Sequence, residues 1–287
     1  MTNAGSLKRR LKQWNRGDRP LVMGVVNVTP DSFSDGGRFH DPEKAIEHAL
    51  KLARDGADIL DVGGESTRPG SRGVDEAEEL ARVMPVIEGI AAACSVPVSI
   101  DTSKPAVMRA AVAAGAQMVN DINGLRNPDA LDTVAGLDVA TCIMHMLGTP
   151  RTMQEKPRYD SVVDDVGRFL VQRAQACLKA GMDRSAIVID PGFGFGKTLN
   201  HNLALLRHLD ELVDTGFPLL AGLSRKAMMG AITGRRKPQE RLAATLAAQL
   251  LAAQRGAAII RAHDVAEAVD SLKLLEAVEN AERNPLE

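Results

Sequence analysis

Short runs rich in Val, Ile and Leu alternate along the chain with longer segments whose apolar residues recur at helical spacing, a rhythm that predicts a parallel sheet flanked by helices. Eight runs read as strands: LVMGVVNVT (21–29), DILDVGGE (58–65), PVSIDTS (97–103), MVNDING (118–124), DVATCIMHM (138–146), AIVIDPG (186–192), PLLAGLSR (218–225) and AIIRAHD (258–264). A helical segment follows each. Asp41-Pro42-Glu43 supplies a cap, a first-turn proline and a first-turn acid. Gly56, Gly115, Gly136, Gly181, Gly216 and Gly256 each follow a helical run, where a left-handed residue ends a helix. Repeated units with no long Pro/Ser-rich linker predict one α/β domain, a closed (β/α)8 TIM barrel over residues 20–280, in preference to an open doubly wound sheet. Residues 1–19 read as an N-terminal extension that covers the barrel's bottom.

In such a barrel the chemistry gathers where the strands end and the βα loops begin. All eight strand ends carry polar groups: Asn27, then Glu65 to Arg68, Asp101, Asn120 with Asp121, His145, Asp190, Ser224 to Lys226, and Arg261 with His263 and Asp264. Helix capping is the plain alternative for Asp101, Asp121 and Asp264. It does not serve Lys226 and Arg261, because a cation at a helix start opposes the dipole; these two point to a bound anion or carbonyl. His145 reads as structural rather than catalytic. Asp101 and Asp190 need partners if both enter the mouth, either an internal cation or a ligand edge with adjacent N–H donors such as a fused aminopyrimidinone. Asn27, Arg68, Arg261 and His263 have the character of an anion site, and the Asn27 carboxamide suits Mg²⁺ that takes its remaining ligands from phosphate and water.

Composition narrows the field. The 287 residues, 45% hydrophobic and 25% charged, describe an ordinary globular chain. Thirty-five basic residues against 37 acidic leave a net charge of −2, so no nucleic-acid or membrane partner is expected and any anion site is local. Cys94, Cys142 and Cys177 have neither disulfide nor zinc spacing and read as small core residues. No signal peptide or long apolar span is visible, and the expected location is cytoplasmic. DPGFGFGK (190–197) imitates a phosphate-binding loop, but Pro191 stands where that loop needs a glycine N–H. Phe33, Phe39, Phe193 and Phe195 fall in Gly-rich loops and suit the covering of a flat ring, with packing beneath the loop as the alternative. The stretches TPDSFSDGGRF and STRPGSRGVD carry glycines that let them close over a substrate.

Taken in order, NVTPDSFSDGG, DVGGESTRPG, SIDTSK, VNDI, MHM, DPGFGFGK, GLSRK and RAHD resemble the dihydropteroate synthases over about residues 20 to 275. The resemblance implies a (β/α)8 enzyme, usually a homodimer, that joins 6-hydroxymethyl-7,8-dihydropterin diphosphate to 4-aminobenzoate with Mg²⁺ and releases pyrophosphate. It implies a pterin site of Asp101, Asn120, Ile122, Met144, Asp190, Phe195, Gly222, Lys226 and Arg261. The diphosphate falls to Asn27, Arg68, Arg261 and His263, with the metal on Asn27. Aminobenzoate falls to Phe33, Thr67, Pro69, Phe195 and Ser224, the pocket that sulfonamides occupy in this family. Asn27, Arg68, Asp101, Lys226, Arg261 and His263 are the residues expected to carry the chemistry. The chain has RAHD where RVHD is commoner, and Ala262 is expected to face away from the mouth. Since an aniline nitrogen is a weak nucleophile, the expected route is dissociative, with pyrophosphate departing ahead of attack and the donors around it stabilising its charge. Methyltetrahydrofolate methyltransferases share the ring-anchoring residues but have no use for a diphosphate site, and a catalytically dead paralogue would not keep every position filled.

Overall fold

Each apolar run forms a strand, shorter than its sequence signal because the ends turn polar: β1 (Leu21–Asn27), β2 (Ile59–Gly63), β3 (Val98–Asp101), β4 (Met118–Asp121), β5 (Ala140–Met144), β6 (Ile187–Asp190), β7 (Leu220–Ala221) and β8 (Ile259–Ala262). The structure, a computed structural model, describes residues 4–29, 42–67, 70–71 and 73–281. Helix α1 (Ala4–Gln13) precedes β1. Then α2 (Pro42–Arg54), α3 (Glu76–Ala93), α4 (Pro105–Ala113), α5 (Ala130–Ala135) and α6 (Val162–Lys179) follow the first five strands in turn. A pair, α7 (Leu199–Arg207) and α8 (Leu209–Val213), follows β6; α9 (Ala227–Thr233) and α10 (Leu242–Gln254) follow β7; α11 (Val265–Asn280) follows β8.

All ladders are parallel, in the order β6-β5-β4-β3-β2-β1-β8-β7, and a bridge between Ile189 and Leu219 joins the two ends. The chain is therefore a (β/α)8 barrel. Side chains alternate along each strand. Val22, Leu60, Ile100, Val119, Ile143, Ile189 and Ile260 join the cluster shared with the helices, which α2 enters through Ala45, Ala49 and Leu52 on one helical face. Met23, Ile59, Met118, Cys142, Val188, Leu220 and Ile259 join a second cluster inside the barrel. Helix α1 adds Leu7 and Leu11 to that inner cluster and so closes its bottom. Burying each leucine contributes about 1.5–3 kcal/mol.

Five of the six glycines before strands take positive φ, between 78° at Gly216 and 112° at Gly115. Gly136 does not. Its φ is −79°, and Asp138 adopts the left-handed turn with φ 51° instead, an acid being able to occupy that region through local hydrogen bonding. Phe193 also departs from expectation. It is 1% exposed and belongs to the outer core, since its loop turns that ring inward and leaves only Phe195 near the mouth. Ala262 is buried in the outer cluster, facing away from the mouth.

Candidate active site

The alternation that buries Met23, Ile59 and Ile259 in the inner cluster turns the next inward positions toward the mouth, and there the residues are polar. β1 contributes Asn27, β3 Asp101, β4 Asn120, β6 Asp190 and β8 Arg261. Arg261 donates from Nε to Asp61 Oδ2 at 2.6 Å and from Nη2 to Asp101 Oδ2 at 3.0 Å. Asn120 Nδ2 donates to the same Asp61 oxygen at 3.2 Å. Asp61 is wholly buried. Sequence reasoning passed over it; the signal was an acid at an inward position of the apolar run DILDVGGE.

Burial would lower the Arg261 pKa, but the charges of Asp61, then Asp101 and last Asp190 outweigh it, and the net shift is upward. Burial, then Asp61, push the Asp101 carboxyl well above the usual range. Burial pushes Asp190 up to about 6, while the Gly192 N–H and Lys226 act against it. Lys226 is lowered to about 8 by burial and by Arg261. Its Nζ lies 4.3 Å from the centre of the Phe195 ring. Gly222 borders Asp190, with a Cβ position 3.9 Å from Oδ2. Ile122 and Phe195 pack on Met144, Met146 and Met153 as an apolar wall. Asp121 is no helix cap: it binds the N–H groups of Asn123 and Leu125, each at 2.8 Å, and the Ser103 hydroxyl, folding the turn that presents Ile122. Asp264 pairs with Arg225, and neither Asp264 nor Asp101 caps a helix through its side chain.

The loop DPGFGFGK is built on three glycines with φ of 67°, 82° and 66°. A Cβ on Gly192 would lie 2.0 Å from the His145 carbonyl oxygen, which only glycine avoids. Asp190 Oδ1 accepts from the Gly192 N–H at 2.7 Å. Lys197 is 3% exposed and turns back under the loop, with Nζ 2.9 Å from His145 Nδ1, 3.0 Å from Phe195 O and 3.4 Å from His145 O. It straps the loop and does not reach the mouth. Burial first, then Lys197, bring His145 down to about 3, which fits its structural reading.

Ser224 and His263, expected in two different subsites, touch. The His263 N–H donates to Ser224 Oγ at 3.2 Å, and Oγ lies 3.0 Å from Nδ1. Oγ can serve Nδ1 either as a donor or as a second-site acceptor, so this contact holds the ring in place and its direction follows the imidazole tautomer. Burial and Arg261 lower His263 to about 3, so it is a neutral donor. Thr67 and Asp101 share a cavity of about 210 Å³ between the loops after β2, β3 and β4, with Lys104 bridging Glu65 and Glu79 along its wall. The side chain of Asn27, at the end of β1, makes no hydrogen bond among the described residues. Arg68, Pro69 and Phe33 lie outside the described residues.

Acids, a half-buried arginine and a lysine around an apolar wall stand at the strand ends of a parallel barrel, where (β/α)8 enzymes carry their chemistry. A family model described as pterin binding enzyme matches residues 23–263. The dihydropteroate synthase of Escherichia coli K12 is 48% identical over 265 residues, covering 92% of this chain and 94% of the relative. The Xanthomonas albilineans dihydropteroate synthase solved with 4-aminobenzoic acid is 56% identical with a TM-score of 0.87, covering 92% of this chain and 94% of that one. The same enzyme solved with 7,8-dihydropteroate is 54% identical with a TM-score of 0.84, covering 92% and 95%. The chain belongs to the dihydropteroate synthase family of pterin-binding enzymes.

Proposed function

We propose that the chain joins 6-hydroxymethyl-7,8-dihydropterin diphosphate to 4-aminobenzoate, giving 7,8-dihydropteroate and pyrophosphate, by a dissociative displacement. The observation that carries the reading is the convergence of Asp101, Asn120, Asp190 and Lys226 with Arg261 on one mouth. The acids and the asparagine oxygen accept from the N–H groups of the pterin, and Lys226 donates to its carbonyl side. Phe195, Met144 and Ile122 flank the ring, with Gly222 keeping the approach to Asp190 open. Arg261 Nη1 has no partner among the described residues and is available to the diphosphate, where Arg68 and His263 join it. Phe33, Thr67, Pro69, Phe195 and Ser224 receive the aminobenzoate.

Mg²⁺ fits the donor set. No three His, Cys, Asp or Glu side chains converge as a cage among the described residues, while the unpartnered Asn27 carboxamide suits an ion that takes its other ligands from phosphate and water. Bound there, the ion supplies Lewis-acid charge to the leaving oxygens. The Arg261 and His263 donors stabilise the same developing charge, each such donor being worth about 3 kcal/mol. Asp101 and Asp190 support the positive charge that develops on the pterin methylene.

The test is incubation with the dihydropterin diphosphate and Mg²⁺, following pyrophosphate with and without 4-aminobenzoate. Slow pyrophosphate release without the amine supports departure ahead of attack. Strict dependence on the amine sinks the dissociative order, and absence of dihydropteroate sinks the whole reading. We further propose a cytoplasmic homodimer, supported by exposed Leu274 and Val278 on α11, 65% and 60% exposed. Sedimentation at monomer mass would contradict the dimer, and recovery in a membrane or secreted fraction the location.

A further inference from the structure

We propose that Asp61 is a positioning residue that sets which groups of the heterocycle pocket accept hydrogen bonds and which donate, and so helps select the ligand's ring. The inference rests on the pterin reading of the mouth.

Asp61 occupies an inward position where its strand neighbour Ile59 is apolar, and it is wholly buried. A carboxylate in such a place is costly unless it is paired and hydrogen-bonded. Its pairing falls on one oxygen, Oδ2, which accepts from Arg261 Nε at 2.6 Å and Asn120 Nδ2 at 3.2 Å, while Oδ1 is buried with no partner among the described residues. Because Arg261 can only donate, Oδ2 is an acceptor, and the atom of Asn120 facing it must be the amide nitrogen. The orientation of Asn120 therefore follows from chemistry and not from the resemblance of O and N in shape. Asn120 Oδ1 has no partner among the described residues and is not sealed from the mouth, so it meets a ligand as an acceptor.

Asp101, Asp190 and Asn120 then present acceptors to the ring, and Lys226 presents a donor to it. Without Asp61 the amide of Asn120 has no reason to hold this orientation. Either its oxygen or its nitrogen can then face the ligand. Arg261 would keep only Asp101 as a hydrogen-bonded anchor.

The experiment compares wild type, Asp61→Asn and Asp61→Leu, with folding checked by thermal melts. Asn at this position keeps an oxygen that can accept from both donors, whereas Leu fills the site without one. The readouts are the Kd values, by calorimetry, of 6-hydroxymethylpterin and of 6-hydroxymethyllumazine, in which a carbonyl oxygen replaces the exocyclic amino donor. Wild type should prefer the pterin strongly, since a site built to hydrogen-bond a donor rejects an analogue lacking it. In Asp61→Leu the pterin Kd should rise about tenfold or more and the preference for pterin over lumazine should shrink at least about tenfold. Asp61→Asn should keep a ratio near that of wild type. Should Asp61→Leu fail to fold, Asp61→Val carries the same comparison. An unchanged pterin Kd, or a loss shared equally by both ligands so that the ratio holds, overturns the proposal. Failure of wild type to bind the pterin at all refutes the functional reading instead.

Discussion

Replacing Lys197 by Met tests whether a buried lysine, and not a phosphate-binding one, organises the loop that carries Phe195. Burial lowers the Lys197 pKa to about 7 from 10.5, with Asp190 pulling it back and Lys226 adding to the fall. The sign of the linkage follows. Between pH 7 and 10.5 the unfolded chain keeps the proton while the native protein gives it up, so stability rises with pH across this window. The whole window is worth about 5 kcal/mol at about 1.36 kcal/mol per pH unit. From pH 7 to 9 the gain is about 2 kcal/mol, because Lys197 is already half deprotonated at the start. Met nearly matches the volume but does not titrate. Urea unfolding of both proteins at pH 7, 8 and 9 should show the stability of wild type climbing relative to the variant by about 2 kcal/mol. A gap that stays constant over this range would mean that native Lys197 remains charged, and the strap would not be what the burial implies. The variant also removes the donor to Phe195 O. Its KM for the pterin substrate should rise up to about tenfold, the cost of about one lost hydrogen bond, with the salt dependence of pyrophosphate inhibition unchanged. A reduced salt dependence would restore a phosphate role to this lysine.

Four other outcomes follow from the same geometry. With the Asp190 carboxyl at about 6, a proton competes with ligand N–H donors, so calorimetric affinity for 6-hydroxymethylpterin should fall toward tenfold per pH unit below about 6, and Asp190→Asn should be weak and flat; equal binding by both proteins at pH 7 would sink the anchor role. Arg261→Met strands Asp61 and Asp101 without their cation and should cost about 3–5 kcal/mol in urea unfolding, a loss under about 1 kcal/mol being the contrary result. Gly192→Ala, with Cβ 2.0 Å from a carbonyl oxygen, should destabilise by more than about 2 kcal/mol and lower turnover, whereas Gly194→Ala, whose nearest neighbour is the flexible Lys226 side chain at 3.4 Å, should lose less; thermal melts rank the two. Chelation by EDTA should abolish turnover yet leave the Kd of 6-hydroxymethylpterin unchanged, since the ring contacts include no metal; parallel loss of both would move the ion into the ring site.

The barrel was legible because its evidence is repeated: eight apolar runs, each ending in polar residues and followed by a helix. Asp101, Asn120, Asp190 and Arg261 were legible for the same reason, as the last inward positions of their strands. Asp61 was not, since one acid inside an apolar run looks like a strand edge until the alternation fixes which way Ile59 points. Sequence reasoning denied Lys197 a phosphate and left Phe193 open between ring cover and packing, but did not foresee the burial of the lysine. A Gly-rich loop reads as exposed, and only the left-handed turns at Gly192, Gly194 and Gly196 decide which side chains fold beneath it. Likewise the contact of Ser224 with His263 joins residues from neighbouring strands, and nothing in local spacing announces it.

Strand β1 takes one neighbour from β2 and the other from β8, and Ala258 and Ile259 share the inner cluster with Leu7 and Leu11. On the ribosome β2 follows β1 within seconds, but β8 appears only after nearly all the remaining chain has been made. Through that interval β1 presents an open edge and the α1 leucines lack part of their seat, conditions that invite pairing between neighbouring nascent chains on one messenger. Ring closure is thus a late event of biosynthesis, and the cell's demand for chaperone shielding should be set by the time the ribosome takes to reach β8.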